Sequence, residues 1–346
     1  MDEWVRSGKP RVTQAVLLVG GEGTRLRPLT YRRPKALVPL LNRPLLSFEL
    51  CLLARHGIRD VILAVGYKAA SLEAELGDGS NWGVRLTYVE DPCPLGTAGA
   101  LGNVRHLLHS DFVAMNGDLV YDADLEGAIA EHLRWGAVVT FCLRQVPDIR
   151  RFGLIQCDEN GWVRSFREKQ ERDETGCNTV NSGLYIMSPR VLEAIPKGRA
   201  YSNEHDLFPG LLAAGAPMRG FLATKQGYWA DVGTLESYLQ TSRDLLEGVV
   251  AWVRGEIAQD AQVAPDAVVV DPVDIAAGCR IESGATVGPH VTLGAGCVVE
   301  AGAVVRDAIL WERVRVGAGA KLCEVVVADG VVIGQGERHV GGVKDA

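Results

Sequence analysis

From residue 257 onward every sixth position is aliphatic: Ile257, Val263, Val269, Ile275, Ile281, Val287, Leu293, Val299 and Val305. Small residues and glycines fill the intervals, as in Ala276-Ala277-Gly278 and Gly294-Ala295-Gly296. A six-residue period of this content predicts a parallel β-helix, in which each unit supplies a short strand and a corner and points its aliphatic side chain into the prism. The phase slips by one residue after Val305 and resumes at Leu310, Val316 and Leu322; a second slip leads to Val327 and Ile333. At roughly three hexads per coil the segment makes about four to five coils. The slips are expected where a loop leaves a coil or where the end is capped.

Upstream of residue 250 the pattern changes. Short β-branched and aliphatic runs at 15–19, 61–65 and 112–115 predict strands, and stretches at 45–56 and 71–76 between them predict helices. Such alternation argues for an α/β domain around a mostly parallel sheet. Residues 235–252 read as a terminal helix bridging to the repeat. The chain then divides into an α/β domain over 11–250 and a β-helix assembly domain over 251–346, with no role assigned to residues 1–10.

Composition narrows the partners. Apolar residues make up 47 % of the chain, which excludes a disordered protein. The net charge is −7 and acidic residues outnumber basic ones in both halves, so no basic footprint favours nucleic acid. No run approaches the roughly 18 apolar residues of a membrane span. The opening Met1-Asp2-Glu3-Trp4 starts acidic and lacks the apolar core of a signal peptide. A cytoplasmic protein with no membrane and no nucleic-acid partner is expected. The eight cysteines are scattered with no C-x-x-C pair, which predicts reduced thiols rather than a zinc knuckle or a disulfide framework.

The sharpest local signal is Gly20-Gly21-Glu22-Gly23-Thr24-Arg25-Leu26-Arg27-Pro28, followed by Arg33-Pro34-Lys35. Three glycines after a predicted first strand let backbone N–H groups approach an anion, and mobile cations follow them. The string predicts a phosphate-binding loop. It has neither the Gly-Lys-Ser/Thr ending of a Walker A loop nor the Gly-x-Gly-x-x-Gly dinucleotide spacing. Asp118 and Asp231 each stand where an apolar run meets glycine, and Asp118 ends a predicted parallel strand, where α/β sheets bind ligands. Two carboxylates with phosphate oxygens suit Mg²⁺, which takes hard oxygen ligands. Asp122 and Asp124 read instead as caps of the following helix. Small residues in Leu95-Gly96-Thr97-Ala98-Gly99 let a flat base approach the backbone, and Leu18, Gly20 and Gly21 are candidates to offer backbone groups to its edge.

Together these residues resemble the signature of the sugar-1-phosphate nucleotidylyltransferases, and the resemblance extends over almost the whole chain. It implies a Rossmann-like nucleotidyltransferase domain followed by a C-terminal left-handed parallel β-helix of hexapeptide repeats. It implies Arg25, Lys35 and Asp118 as catalytic residues, and Asp118 and Asp231 as the Mg²⁺ ligands. It further implies Leu18, Gly20, Gly21, Gly23, Thr24, Gly96 and Thr97 at the nucleotide. Glu168-Lys169 resembles the family's Glu-Lys-Pro element, which implies that Lys169 holds the sugar phosphate and Glu168 a sugar hydroxyl; Gln170 stands in place of the proline. Asn181-Ser182-Gly183-Leu184-Tyr185 resembles the family's Asn-Ala-Gly-Ile-Tyr strand, which implies Asn181 at the sugar hydroxyls. Arg151-Phe152-Gly153 resembles its Tyr-Gly element, with the Gly153 amide against the sugar.

The implied reaction is in-line attack by a sugar-1-phosphate oxygen on the α-phosphorus of a nucleoside triphosphate, with pyrophosphate leaving. The nucleophile is already an anion, so the catalytic burden is positioning and charge neutralisation. Strings beginning at Pro94, Met115 and Tyr228 resemble most the members that join GTP to mannose-1-phosphate. Thymidylyl or uridylyl transfer to glucose-1-phosphate is an alternative, as is a non-catalytic regulatory subunit on the same fold. Acyl transfer, found on some β-helix relatives, needs a longer helix and a histidine base, and only His290 and His339 lie in the repeat region. The aliphatic faces of the repeat favour packing of helix on helix, so a homo-oligomer is expected.

Overall fold

The computed structural model describes residues 12–66, 68–168, 176–223 and 227–345. They fall into two compact units, each drawn from two stretches of chain: the N-terminal stretch to Gly21 with Leu46–Trp229, and Glu22–Leu45 with Ala230–Ala346.

The first unit is built on a nine-stranded sheet. Gln14–Leu18 lies inside it, parallel to Asp60–Val65 on one side and to Phe112–Asn116 on the other, and Arg85–Glu90 is the parallel edge. Parallel neighbours need crossovers, and the helices Leu46–Arg55, Ala69–Leu76 and Gly96–Asn103 supply them. Ala15, Val16, Leu17, Val113, Ala114 and Met115 are fully buried, because a strand covered on both faces reads as an unbroken apolar run. Between residues 139 and 187 the pairing turns antiparallel, and Met218–Phe221 then adds parallel to Val139–Gln145. Thr179–Met187 runs against both Phe112–Asn116 and Val139–Gln145, and Gly153–Cys157 against Val163–Glu168. The sheet is therefore mixed, where the strand–helix alternation predicted a mostly parallel one. Among the described residues no helix separates the strands from Val139–Gln145 to Thr179–Met187, so direct antiparallel pairing replaces the crossover there. Phe141, Phe166, Tyr185 and Phe208 fill the core of this half, with ring centroids 4.7–6.3 Å apart.

Asp124 caps the helix Leu125–Trp135, its carboxylate accepting from the Gly127 N–H at 2.9 Å. Asp122, expected as a second cap, instead donates its backbone N–H to the Tyr228 carbonyl at 2.9 Å.

The second unit contains the repeat. Three five-stranded parallel sheets stack as five coils, consistent with a left-handed β-helix. The hexad residues from Ile275 to Ile333 share one buried core. Neither phase slip releases a loop. Ile275 pairs with Leu293, Leu293 with Leu310 and Leu310 with Val327, so the later coils are one residue shorter. The residue is lost at a corner. Gly288-Pro289-His290 in the longer coil becomes Arg306-Asp307 and then Cys323-Glu324, where Asp307 and Glu324 turn the chain at φ 46° and 54°.

The helix Leu235–Leu246 opens with a capping box between Thr234 and Ser237. It stops well short of residue 252 because Gly248 adopts φ 74°, and the Gly248 and Val249 N–H groups take the carbonyls of Leu245 and Asp244. Among the described residues no helix is long and apolar enough to cross a membrane, and none of the eight cysteines forms a disulfide.

The prism interior carries the stability of the repeat. Leu293 is fully buried there, so Leu293→Ala is expected to cost about 2–5 kcal/mol. Val332, 68 % exposed on the last coil, is expected to change stability by no more than about 0.5 kcal/mol when cut to alanine. Urea denaturation followed by circular dichroism separates the two.

Candidate functional site

Several candidate residues of the first unit lie at the C-terminal ends of its parallel strands. Beyond Leu18 the ladder continues for one more residue, the Val19 N–H donating to Ala64 O at 3.0 Å, and the Gly117 N–H donates to Leu18 O at 3.0 Å. The strand ends close up because two neighbours carry no side chain. A methyl at Gly66 would stand 2.8 Å from Gly20 O, and one at Gly117 would stand 2.3 Å from Val19 Cγ1. Gly20 and Gly21 follow directly and are exposed.

Asp118, half-buried, sits in the two-residue turn between Phe112–Asn116 and Leu119–Tyr121. The turn is pinned from below: the Leu119 N–H donates to Glu49 Oε1 at 2.8 Å, and Glu49 is 1 % exposed within the helix Leu46–Arg55. Sequence reasoning missed Glu49. Its signal was a lone carboxylate inside the apolar run Leu45-Leu46-Ser47-Phe48-Glu49-Leu50, and lone buried acids need a partner.

The sugar-side candidates come together on neighbouring strands. Gly153 pairs with Glu168, and a methyl at Gly153 would stand 2.7 Å from Glu168 Oε2. Asn181 donates its amide to the Tyr185 hydroxyl at 2.8 Å and accepts from the Gly183 N–H at 3.0 Å, so its side chain is held from both ends. Burial pushes the Tyr185 phenol well above its ordinary value, and the charges of Glu204, Glu168 and Asp118 push the same way. Lys169 lies outside the described residues, as does Gln170.

In the loop at Gly96, the glycine takes φ 70° and a methyl there would stand 2.8 Å from Tyr201 O. That carbonyl accepts from both the Ala98 and Gly99 N–H groups at 2.9 Å, which uses two orphan donors of the helix Gly96–Asn103. The Thr97 hydroxyl accepts from the Asn203 N–H at 2.7 Å and donates to Glu204 Oε2 at 3.1 Å. Thr97 thus ties this helix to the π-helical turn Asn203–Leu207. Glu204 is a second residue that sequence reasoning passed over; a carboxylate two residues after a capping serine gave no distinctive signal.

The second unit gathers the cations. Gly23 sits at φ 64°, and a methyl on it would press on Lys35 Cβ and Thr30 Cγ2, both at 3.0 Å. The Thr30 hydroxyl closes the loop on Gly23 O at 2.9 Å. Lys35 runs past Gly23 and places its ammonium 3.8 Å from Asp231 Oδ1. Arg25 joins them: a methyl at Gly233 would stand 2.8 Å from both an Arg25 guanidinium nitrogen and Asp231 Oδ1. Thr24 is exposed at the start of the same turn. Arg25, Lys35 and Asp231 are therefore one cluster, built on the room that Gly23 and Gly233 leave.

Among the described residues no three His, Cys, Asp or Glu side chains form a metal-holding group. Asp118, half-buried next to Gly117, and Asp231, half-buried two residues before Gly233, each offer the hard carboxylate oxygen that suits a cation taking most of its ligands from water and phosphate. The repeat histidines are engaged with acids: His290 lies 3.1 Å from Asp307 Oδ1 and 2.6 Å from Glu247 Oε1, and His339 lies 2.7 Å from Glu337 Oε2.

Glu49 gives the clearest local test. Glu49→Leu strands a buried N–H beside Asp118 and is expected to cost about 1–3 kcal/mol. Glu49→Gln keeps an oxygen acceptor and is expected to lose less, as read from chemical denaturation of the two variants side by side.

Comparison with known proteins places this geometry. A family model described as Nucleotidyl transferase matches residues 14–248, and one described as GMPPB C-terminal domain matches 269–342. The chain is 39 % identical over 276 residues to a mannose-1-phosphate guanylyltransferase of Mycobacterium tuberculosis, covering 77 % of this chain and 76 % of that one. It is 32 % identical over 339 residues to a UTP–glucose-1-phosphate uridylyltransferase of Synechocystis, covering 91 % and 87 %. It is 33 % identical over 287 residues to the mannose-1-phosphate guanylyltransferase catalytic subunit beta of Drosophila melanogaster, covering 79 % and 74 %. A strand-end glycine loop, a cation cluster and a family match over most of the chain agree: this protein belongs to the nucleotidyl transferase family.

Proposed function

We propose that the chain transfers a guanylyl group from GTP to mannose-1-phosphate, giving GDP-mannose and pyrophosphate. The observation that carries the reading is the cluster of Arg25, Lys35 and Asp231 around Gly23 and Gly233. Two cations beside a carboxylate suit a polyphosphate bound with a divalent metal. The mannose-specific relatives support the choice of sugar and base. The uridylyltransferase relative aligns over more of the chain, so glucose-1-phosphate with UTP or dTTP is the second reading. A regulatory subunit is disfavoured because Arg25, Lys35, Asp118 and Asp231 are all present.

In this reading an oxygen of mannose-1-phosphate forms the new bond to the α-phosphorus as the bond to the β-phosphate bridging oxygen breaks, and that oxygen leaves with pyrophosphate. Arg25 balances the charge that grows on the leaving group. Lys35 holds the α-phosphate, Lys169 the sugar phosphate, and Glu168, Asn181 and the Gly153 amide the sugar ring. The Gly20, Gly21, Gly23, Thr24, Gly96 and Thr97 loops and the Leu18 strand end take the nucleotide. Asp118 and Asp231 would hold Mg²⁺, which would supply charge neutralisation at the phosphates. The β-helix supports association of copies of the chain.

The test is pyrophosphate release for mannose-1-phosphate and glucose-1-phosphate, each against GTP, dTTP, UTP and ATP. Mannose-1-phosphate with GTP is expected to dominate, and a dominant glucose-1-phosphate pair would replace the specificity while keeping the chemistry. Arg25→Ala and Asp118→Ala are each expected to lower turnover by roughly 100–1,000-fold in a folded protein.

A further inference from the structure

The segment that carries Lys35 is fastened at three points to the rest of the second unit. Arg33 is the first. Its guanidinium donates to Asp329 Oδ2 at 2.9 Å and lies 5.0 Å from the centre of the Trp311 ring. Asp329 is held in turn, since its other oxygen accepts the Glu312 N–H at 3.0 Å. Pro39 is the second. Its carbonyl accepts from the Tyr238 hydroxyl, which itself accepts from the Trp311 indole N–H at 3.1 Å. Asn42 is the third, donating its amide to Asp274 Oδ2 at 2.7 Å and to Leu293 O at 3.0 Å.

Trp311 serves two of these anchors at once. Its ring faces Arg33, its N–H holds the hydroxyl that grips Pro39, and it is 3 % exposed in the wall of the β-helix. Lys35 lies between the two anchored residues, in the single 3-10 turn Lys35–Leu37 that starts from Pro34 at φ −54°. A turn this short between two fixed ends has little slack. The Arg33–Asp329 pair is about one-third exposed on each side, so its contribution to folding stability is small. A stacked and ion-paired guanidinium nonetheless has few alternative positions. What the contact governs is placement.

We infer that the β-helix is part of the catalytic apparatus, with Arg33, Trp311 and Asp329 as positioning residues that set where the Lys35 ammonium stands. The inference rests on the reading of Lys35 as a phosphate ligand.

Two variants of the full chain test it. Asp329→Asn keeps an acceptor for the Glu312 N–H and removes the charge opposite Arg33; Arg33→Ala removes the other partner. Each is expected to lower kcat/KM for the triphosphate by roughly ten-fold while KM for the sugar phosphate stays within about two-fold. The melting midpoint is expected to stay at the wild-type value. The double variant is expected to be no worse than Arg33→Ala alone, because both changes break one contact. Wild-type kinetics in both single variants, or additive losses in the double, overturn the inference. A second readout needs no substrate: the rate at which an amine-reactive acylating reagent labels Lys35, followed by peptide mass spectrometry. The Lys35 side chain is 11 % exposed, and its labelling is expected to speed up several-fold in Asp329→Asn. An unchanged rate overturns the positioning role. If the wild-type chain transfers to no sugar phosphate while labelling still responds, the proposed function fails and the positioning stands.

Discussion

A strand hydrogen-bonded along both edges has no backbone freedom left, and Gln14–Leu18 is such a strand. Its end fixes the level at which the first unit's loops begin. Gly66 and Gly117 let the neighbouring backbones come up against it, and Asp118 follows one residue later. The buried Glu49 holds that turn by a backbone N–H, which fixes the chain beside Asp118 without spending the carboxylate of Asp118 itself. The same economy recurs around Tyr185, where Asn181 is held at both ends of its amide.

The cations are held differently. At 3.8 Å the Lys35 ammonium and Asp231 are beyond a normal hydrogen bond, and their attraction is Coulombic at a distance that a phosphate oxygen can readily replace. Rigidity is supplied one step away, in the backbone. Tyr238 and Trp311 each bury an apolar body and spend a polar tip, the usual bargain of these side chains, and here the tips meet each other and the Pro39 carbonyl.

The repeat was the most legible part of the sequence. Its period comes from a geometric rule, since each coil must return an aliphatic residue to the same axis, and the hexad residues from Ile275 onward do so. The phase slips were visible but not their meaning: a corner shortened by a left-handed Asp307 looks in sequence like the start of a loop. The early strands were legible because doubly covered strands are continuous apolar runs. The antiparallel half was not, because its direction depends on which distant strand it meets. At the site, the glycine and cation string was readable because few other folds need that composition. The partners of Arg33 and Thr97 were not, because each is set by a residue more than a hundred positions away. The end of the helix at Leu246 was within reach of sequence, since Gly248 is the residue that stops it.

The stacked coils have one more consequence. Outward-facing residues of successive coils form vertical columns about 4.8 Å apart per rung. On the face made by Val273–Ile275, Val291–Leu293, Ala308–Leu310, Val326–Val327 and Val343–Lys344, the column Asp274, Thr292, Ile309, Val326 is buried on four rungs, and Val343 on the last is half-buried. The other two faces keep their columns open, with Arg280, Val298 and Arg315 on one and Thr286, Val304, Lys321 and Arg338 on the other. The prism therefore has an inner wall and two outer ones. A change on an outer column meets only the rungs directly above and below it, so those faces can drift in charge and shape, rung by rung, without disturbing the wall that holds Asn42 in place.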